Sequence, residues 1–335
     1  MAVRNKAFLT HRVHASVLER LRADGDVDCN DSDRILRPDE VRSRAGEATA
    51  IMVFMTDCID RDFLQACPRL RIVAGALKGF DNIDVAACTE RGVWVTCVAD
   101  LLTVPTAELA IGLLLSLSRN IVAGDRLMRH EHYAGWRPIL YGAPLGGRCL
   151  GIYGMGAVGQ AIAARMIGFG MRTIYHDPRA LPADREASLD VRYVTFGELL
   201  TESDYVIVAA PFTADNLHAF DDEALSRMRR GSFLINIGRG SVVDEQAVAR
   251  ALQSGRLAGF AADVYEMEDQ SRLTRPSQIE PALIAADHTI FTPHLGSAVA
   301  AVREQIELEA AQNILAAWRG QTPPGAVNRP LPMGG

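Results

Sequence analysis

The segment Gly151-Ile-Tyr-Gly154-Met-Gly156-Ala157-Val158-Gly159 constrains this chain more than any other, because few folds put three glycines at that spacing between an apolar strand and a helix. The run Cys149–Tyr153 reads as a buried strand, the alanine-rich stretch Gln160–Phe169 as a helix, and Arg172–His176 as the next strand. In such a unit Gly154 permits the tight turn, Gly156 lets the main chain approach a pyrophosphate, and Gly159 lets helix and strand pack closely. Ala157 and Val158 open the helix, whose positive end faces the phosphates. Asp177 lies 23 residues after Gly154, where a carboxylate accepts from ribose hydroxyls and repels a 2′-phosphate, with Pro178 following it. The segment reads as a dinucleotide site that prefers NAD; weaker use of NADP is left open by Arg179, whose guanidinium suits a phosphate. An ordinary Asp-Pro turn is the alternative reading of Asp177-Pro178.

The fingerprint begins near residue 150 of 335, so the residues before it must form a unit of their own, and two domains are expected. A chain that is 48% hydrophobic and 23% charged, with net charge −6, has ample core material and no basic field for nucleic acid. Neither the N-terminus nor the apolar run Leu109–Leu117 is long enough for a signal peptide or a membrane span, so no membrane partner and a cytoplasmic location are expected. Cys29, Cys58, Cys67, Cys88, Cys97 and Cys149 show no C-x-x-C pair and no interleaved histidine, which points to reduced, mostly buried thiols and no metal site.

Before residue 100 short apolar runs (Ala7–Leu9, Ile51–Phe54, Leu70–Ala76, Val93–Cys97) alternate with helical patterns (Val13–Leu21, Val85–Arg91). After the fingerprint the alternation resumes with Tyr205–Ala209, Ser232–Ile237, Leu257–Val264 and Thr289–Phe291. This is the signature of parallel sheets flanked by helices. The predicted class is α/β: two doubly wound parallel-sheet domains, Rossmann-like and flavodoxin-like, with a cleft between them. Residues 1–100 plus 295–335 form the substrate domain and 101–294 the NAD-binding domain. The helix Ser297–Trp318 runs back to the first domain, and the proline- and glycine-rich tail Gly320–Gly335 is extended.

Ligands of open α/β sheets bind beyond the carboxyl ends of the strands. Three residues there have useful chemistry. Arg239, between Gly238 and Gly240, offers a fork for a carboxylate or another oxyanion. Glu268 follows the strand ending at Asp263, and His294 follows Thr289–Phe291. A carboxylate that fixes an imidazole tautomer and favours its protonated form makes His294 a candidate general acid or base. Taken singly, each also reads as a surface arginine, a solvated acid in the charged run Glu266–Asp269, or a turn histidine.

Together Asn236-Ile237-Gly238-Arg239-Gly240, Asp263-Val-Tyr-Glu-Met-Glu268 and Pro293-His294-Leu-Gly296-Ser297 resemble the D-2-hydroxyacid dehydrogenase superfamily, in order and spacing over nearly the whole chain. The resemblance implies that Arg239, Glu268 and His294 are the substrate-binding, orienting and acid/base residues. It implies cofactor contacts from Thr106, Ala210, Pro211, Ile237, Gly238, Asp263 and Gly296, with Pro211 and Asp263 on the nicotinamide side, and a homodimer.

Ala76-Leu-Lys78-Gly79-Phe-Asp-Asn82 places a second cation where superfamily members carry a small or apolar residue. A dianionic oxyanion gains from two cations in a low-dielectric site. The chain is similar to phosphite dehydrogenases there and in Asp100–Glu108, Gly135–Gly142, Glu266–Asp269 and Ser297–Arg303. It departs from them at Gln270, where an aromatic is expected, and at Ile237-Gly238. That resemblance implies phosphite as substrate, bound by Lys78, Gly79, Arg239 and His294, with Arg303 as a further cation and Trp136 and Tyr141 closing the site. Phosphite would be oxidised to phosphate by hydride transfer to NAD⁺, with water as nucleophile and His294 taking its proton. The alternatives are an NAD-dependent D-2-hydroxyacid dehydrogenase or glyoxylate-type reductase and, remotely, an NAD-sensing corepressor-like interaction protein.

Overall fold

Strand and helix alternate through the chain because each apolar strand must be covered on both faces, and the connecting helices supply the cover. The computed structural model describes residues 4–98, 100–130 and 133–330, so the last five residues of the tail lie outside it. Two compact units emerge: 1–102 with 270–273 and 298–335, and 103–269 with 274–297. The short segment 270–273 thus belongs with the first unit, which no change of composition announces.

The first unit is a five-stranded sheet, β1 (Lys6–Leu9), β2 (Asp26–Cys29), β3 (Ala50–Val53), β4 (Ile72–Gly75) and β5 (Trp94–Thr96), in the order β2-β1-β3-β4-β5. All pairs are parallel, and this is the flavodoxin-like order. Alternate residues face opposite layers. Leu9, Met52 and Ala74 pack with Val17 and Leu21 of the helix Ala15–Arg22 and with Ile306, Ala310 and Ile314 of the helix Ala300–Trp318. Phe8, Ile51 and Val73 pack with Val41, Phe63 and Ala87 on the other face. The tail lies along β5: Cys97 N–H donates to Gly325 O and Val327 N–H to Val95 O.

The second unit holds β6 (Cys149–Tyr153), β7 (Arg172–His176), β8 (Val191–Tyr193), β9 (Tyr205–Val208), β10 (Ser232–Asn236), β11 (Leu257–Ala262) and β12 (Thr289–Phe291), ordered β12-β11-β10-β9-β6-β7-β8 and wholly parallel. Counted from β6, this is the dinucleotide-binding order, with its direction reversing between β6 and β9. Ile152, Ile207 and Ile235 pack on Ala110 and Leu114 of the helix Thr103–Ser118 and on Ile162 and Met166 of the helix Ala157–Met166. Val206, Leu234 and Phe260 pack on Leu199, Leu225 and Val248. Among the described residues no single helix is long and apolar enough to cross a membrane.

Of the thiols, Cys67, Cys88 and Cys149 are buried, Cys29 and Cys97 partly so, and Cys58 is exposed. Burial pushes the Cys67 thiol up to about 11.

Candidate functional site

Six turns at the carboxyl ends of the second sheet carry the candidate residues: Gly154 after β6, Asp177 after β7, Ala210-Pro211 after β9, Gly238-Arg239 after β10, Asp263 after β11 and His294 after β12. A parallel sheet brings these distant positions to one edge.

At β6 each glycine has a separate reason. Gly154 has φ +98°, and a Cβ there would stand 2.6 Å from Ala210 N; one at Gly159 would stand 2.2 Å from Gly154 O. Gly156 caps the helix Ala157–Met166 with no side-chain hydrogen bond, and a Cβ there would meet nothing within 4 Å. An uncapped helix start facing open space fits a dinucleotide pyrophosphate. Beside it, Asp177 accepts from the N–H of Met155 at 2.8 Å and of Arg179 at 3.2 Å, so its carboxylate is held against the same loop. Pro178 is exposed.

At β10, Asn236 builds the turn that carries Arg239: its Oδ1 accepts from Gly238 N–H at 3.1 Å and its Nδ2 donates to Arg239 O at 3.0 Å. The Arg239 guanidinium donates to Gly238 O at 3.0 Å. Added Cβ atoms would lie 2.4 Å from Ala210 O at Gly238 and 1.9 Å from the Tyr265 carbonyl carbon at Gly240. The glycines around Arg239 therefore make room for neighbouring main chain. Ile237 is buried beneath the turn.

At β11 and β12, Asp263 is 1% exposed. Its Oδ1 accepts from Thr292 Oγ1 and Leu295 N–H, both at 2.6 Å, and its Oδ2 from Gly296 N–H at 2.8 Å. Burial nevertheless holds its carboxyl above the ordinary aspartate range. Thr106 Oγ1 donates to Gly296 O at 3.2 Å. These bonds fix the turn in which His294 takes the left-handed φ of +56°, uncommon outside glycine. Its Nδ1 lies 3.1 Å from Glu268 Oε2, and both side chains are partly exposed. With a carboxylate at that distance Nδ1 carries the proton, leaving Nε2 as the nitrogen that can exchange one.

Lys78, Gly79 and Arg303 belong to the first unit. Lys78 and Gly79 follow β4, and Arg303 donates to Ala76 O at 3.3 Å, with its guanidinium 5.5 Å from the centre of the Phe54 ring. Burial lowers the Arg303 pKa from its ordinary value. Trp136 and Tyr141, expected to close a site, are 80% and 76% exposed, and among the described residues no hydrogen bond or ring contact ties their side chains to Arg239, Glu268 or His294. Sequence reasoning missed Asn236 and Thr292 as builders of the turns, although Asn236 opens one of the motifs it used and Thr292 directly precedes another. The alternative reading of Glu268 as a solvated acid took the run Glu266–Asp269 only as charged, and it gave no sign that Glu266 and Asp269 are buried.

Residues 111–296 match the family model described as D-isomer specific 2-hydroxyacid dehydrogenase, NAD binding domain. The chain is 35% identical to glyoxylate reductase of Pyrococcus horikoshii over 329 residues, which cover 97% of this chain and 96% of the relative. Seven further curated proteins at 33–36% identity carry that same name. The crystal structure of TT0316 protein from Thermus thermophilus superposes with a TM-score of 0.87 at 33% identity, covering 96% of this chain and 100% of that one. That of NADPH-dependent glyoxylate/hydroxypyruvate reductase from Sinorhizobium meliloti, in complex with NADP and malonate, superposes with a TM-score of 0.82 at 29% identity, covering 97% of each chain.

These relatives correct the expectation of phosphite as substrate and partner. The inference from Lys78 fails for a physical reason. Two cations suit a dianion, but they suit a 2-keto acid equally: one can hold the carboxylate and the other the carbonyl oxygen, which becomes negative as hydride arrives. Counting cations does not separate the two substrates.

Proposed function

Because the chain belongs to the D-isomer specific 2-hydroxyacid dehydrogenase family of NAD-binding oxidoreductases, we propose that it reduces a small 2-keto acid, glyoxylate foremost, to the 2-hydroxy acid. The observation that carries this reading is the His294 Nδ1 to Glu268 Oε2 contact of 3.1 Å, a proton donor held in one tautomer at the strand ends where the nucleotide fingerprint also lies.

The residues around Gly156 and Asp177 would hold the dinucleotide, which when bound in its reduced form supplies a hydride. Arg239 binds the substrate carboxylate through its planar fork. His294, protonated, hands the proton on Nε2 to the carbonyl oxygen as the new C–H bond forms at the adjacent carbon, so one hydride and one proton complete the alcohol. Glu268 holds the ring through Nδ1 and balances its positive charge before transfer; the ring is left neutral and regains a proton from solvent. Asp263, with Thr292, Leu295 and Gly296, keeps the histidine turn rigid so that the donor does not drift from the carbonyl.

The test is loss of NADH absorbance with glyoxylate, hydroxypyruvate and pyruvate, with the product identified as the 2-hydroxy acid. Turnover of glyoxylate is expected. Absence of turnover on every 2-keto acid, with NADH and with NADPH, overturns the reading.

A further inference from the structure

Arg239 and Glu268 sit on separate turns, 239–245 and 265–269, and these turns are laced together in an unusual manner. Their main chains touch at Gly240, where even a methyl group would collide with Tyr265. The lacing is done by acids that are only 3–5% exposed. Asp269 Oδ2 accepts from Ser241 N–H at 2.7 Å. Glu245 Oε1 accepts from Glu266 N–H at 2.9 Å, and Glu266 Oε1 from Glu245 N–H at 3.2 Å. His218 joins them: its Nε2 lies 2.7 Å from Glu266 Oε2, and its main-chain N–H donates to Ser241 O at 2.8 Å.

Burying carboxylates is costly, and hydrogen bonds from main-chain N–H groups offset the cost only while each stays well aligned. A fold that does this at one contact gains a rigid spacing there. Asp269 is the member best placed to matter, being bonded in sequence to Glu268 and hydrogen-bonded to a residue two beyond Arg239. The Asp269–Ser241 bond is thus a short link between the side chain that grips substrate and the one that aims the proton donor.

We propose that Asp269 is a positioning residue for the reduction, setting the distance between Arg239 and the Glu268–His294 pair through the Asp269–Ser241 bond; this rests on the roles given to Arg239 and His294 above. Glu266, Glu245 and His218 brace the same contact from below. Asp269 itself acts through Ser241 and Glu268, without touching substrate or cofactor.

The test uses the full chain with Asp269→Ala and Asp269→Asn, read by glyoxylate kinetics and by hydrogen exchange at the Ser241 amide. In Asp269→Ala the Ser241 amide exchanges faster and kcat/KM falls about 10- to 100-fold, with KM rising as Arg239 loosens and kcat falling as His294 loses its aim. Asp269→Asn keeps an oxygen that accepts from Ser241 and recovers kcat/KM to within about threefold of the parent. If Asp269→Ala does not fold, Asp269→Ser, polar but too short to reach, takes its place. The proposal is overturned if the Ala or Ser variant loses thermal stability with KM and kcat unchanged, or if the Asn variant is as impaired as the Ala variant. Exchange at Ser241 needs no substrate. A parent protein inert to every 2-keto acid, with Ser241 protection still lost in Asp269→Ala, would therefore sink the substrate reading while upholding the link between the turns.

Discussion

Asp263 Oδ1 takes the N–H of Leu295 at 2.6 Å across 32 residues of sequence, so the end of one strand dictates the conformation of the residue that follows His294. His294 lies between that anchor and Thr292, whose hydroxyl donates to the same oxygen. With bonds on both sides, its left-handed backbone is imposed by its surroundings, and the ring arrives at Glu268 with little freedom left. Proton transfer depends on such restraint, because a donor that wanders must be gathered in again during each turnover.

Replacing His294 by Gln removes the exchangeable proton and keeps the size. We expect kcat for glyoxylate to fall about 10²- to 10⁴-fold with dinucleotide affinity unchanged. Glu268→Gln still bonds Nδ1 but no longer balances the imidazolium charge, so its loss is smaller and falls on kcat. Steady-state kinetics beside fluorescence titration with NADH check both; a His294→Gln enzyme of parental kcat would remove the assigned role.

Gly154 and Gly156 should respond oppositely to an added side chain. Gly154→Ala forces a Cβ onto Ala210 at a positive φ, and we expect a stability loss of about 2 kcal/mol or more. Gly156→Val meets no protein atom near its Cβ, so the fold survives while the dinucleotide is displaced. Melting curves without cofactor, compared with NADH binding, distinguish the two; normal binding in Gly156→Val would show that the pyrophosphate lies elsewhere.

Asp177→Ser removes the charge that repels a 2′-phosphate while leaving a small polar group next to Met155. The ratio of kcat/KM with NADH to that with NADPH is expected to drop about tenfold or more. An unchanged ratio would mean that this carboxylate serves only the loop.

Asp57 ties the first unit to solution pH. It is 6% exposed, one of its oxygens accepts from Thr10 Oγ1 at 2.6 Å and from Phe54 N–H at 2.7 Å, and burial pushes its carboxyl up to about 6. A folded pKa above the unfolded one means that the native state holds the proton more tightly. The contribution is complete below about pH 4 and is lost as pH rises through about 6, roughly 3 kcal/mol in all. Asp57→Asn can keep both bonds on its amide oxygen and has no proton to lose. Between pH 4 and 7 the stability of the parent should fall relative to that of Asp57→Asn; parallel melting profiles would refute this.

What the sequence revealed followed from where apolar residues concentrate. The strands β6 and β7 were legible to the residue, β6 as an apolar run leading into the glycine signal and β7, Arg172-Thr-Ile-Tyr-His176, as the next β-prone stretch after the helix that the glycines open. The edge strands β2, Asp26-Val-Asp-Cys29, and β8, Val191-Arg-Tyr193, were not, because an edge needs little burial and tolerates charge, which leaves no run to detect. His294, Glu268 and Arg239 were legible as motifs. The burial of Glu266 and Asp269 was not: a row of acids reads as solvated unless its partners are known, and here those partners include main-chain N–H groups, which every residue but proline supplies, and a distant histidine, His218. Lys78 was visible, but its charge alone could not name the substrate.

The helix Ala300–Trp318 lends Ile306, Ala310, Ile314 and Trp318 to a core whose other walls, Leu9, Val17 and Met52, are made near the start of the chain. During synthesis those early strands must wait, half-covered, while about 250 later residues are added, whereas the nucleotide unit has nearly all of its own core in hand before residue 298 is made. The unit begun first can therefore close its core only after the last helix has been made.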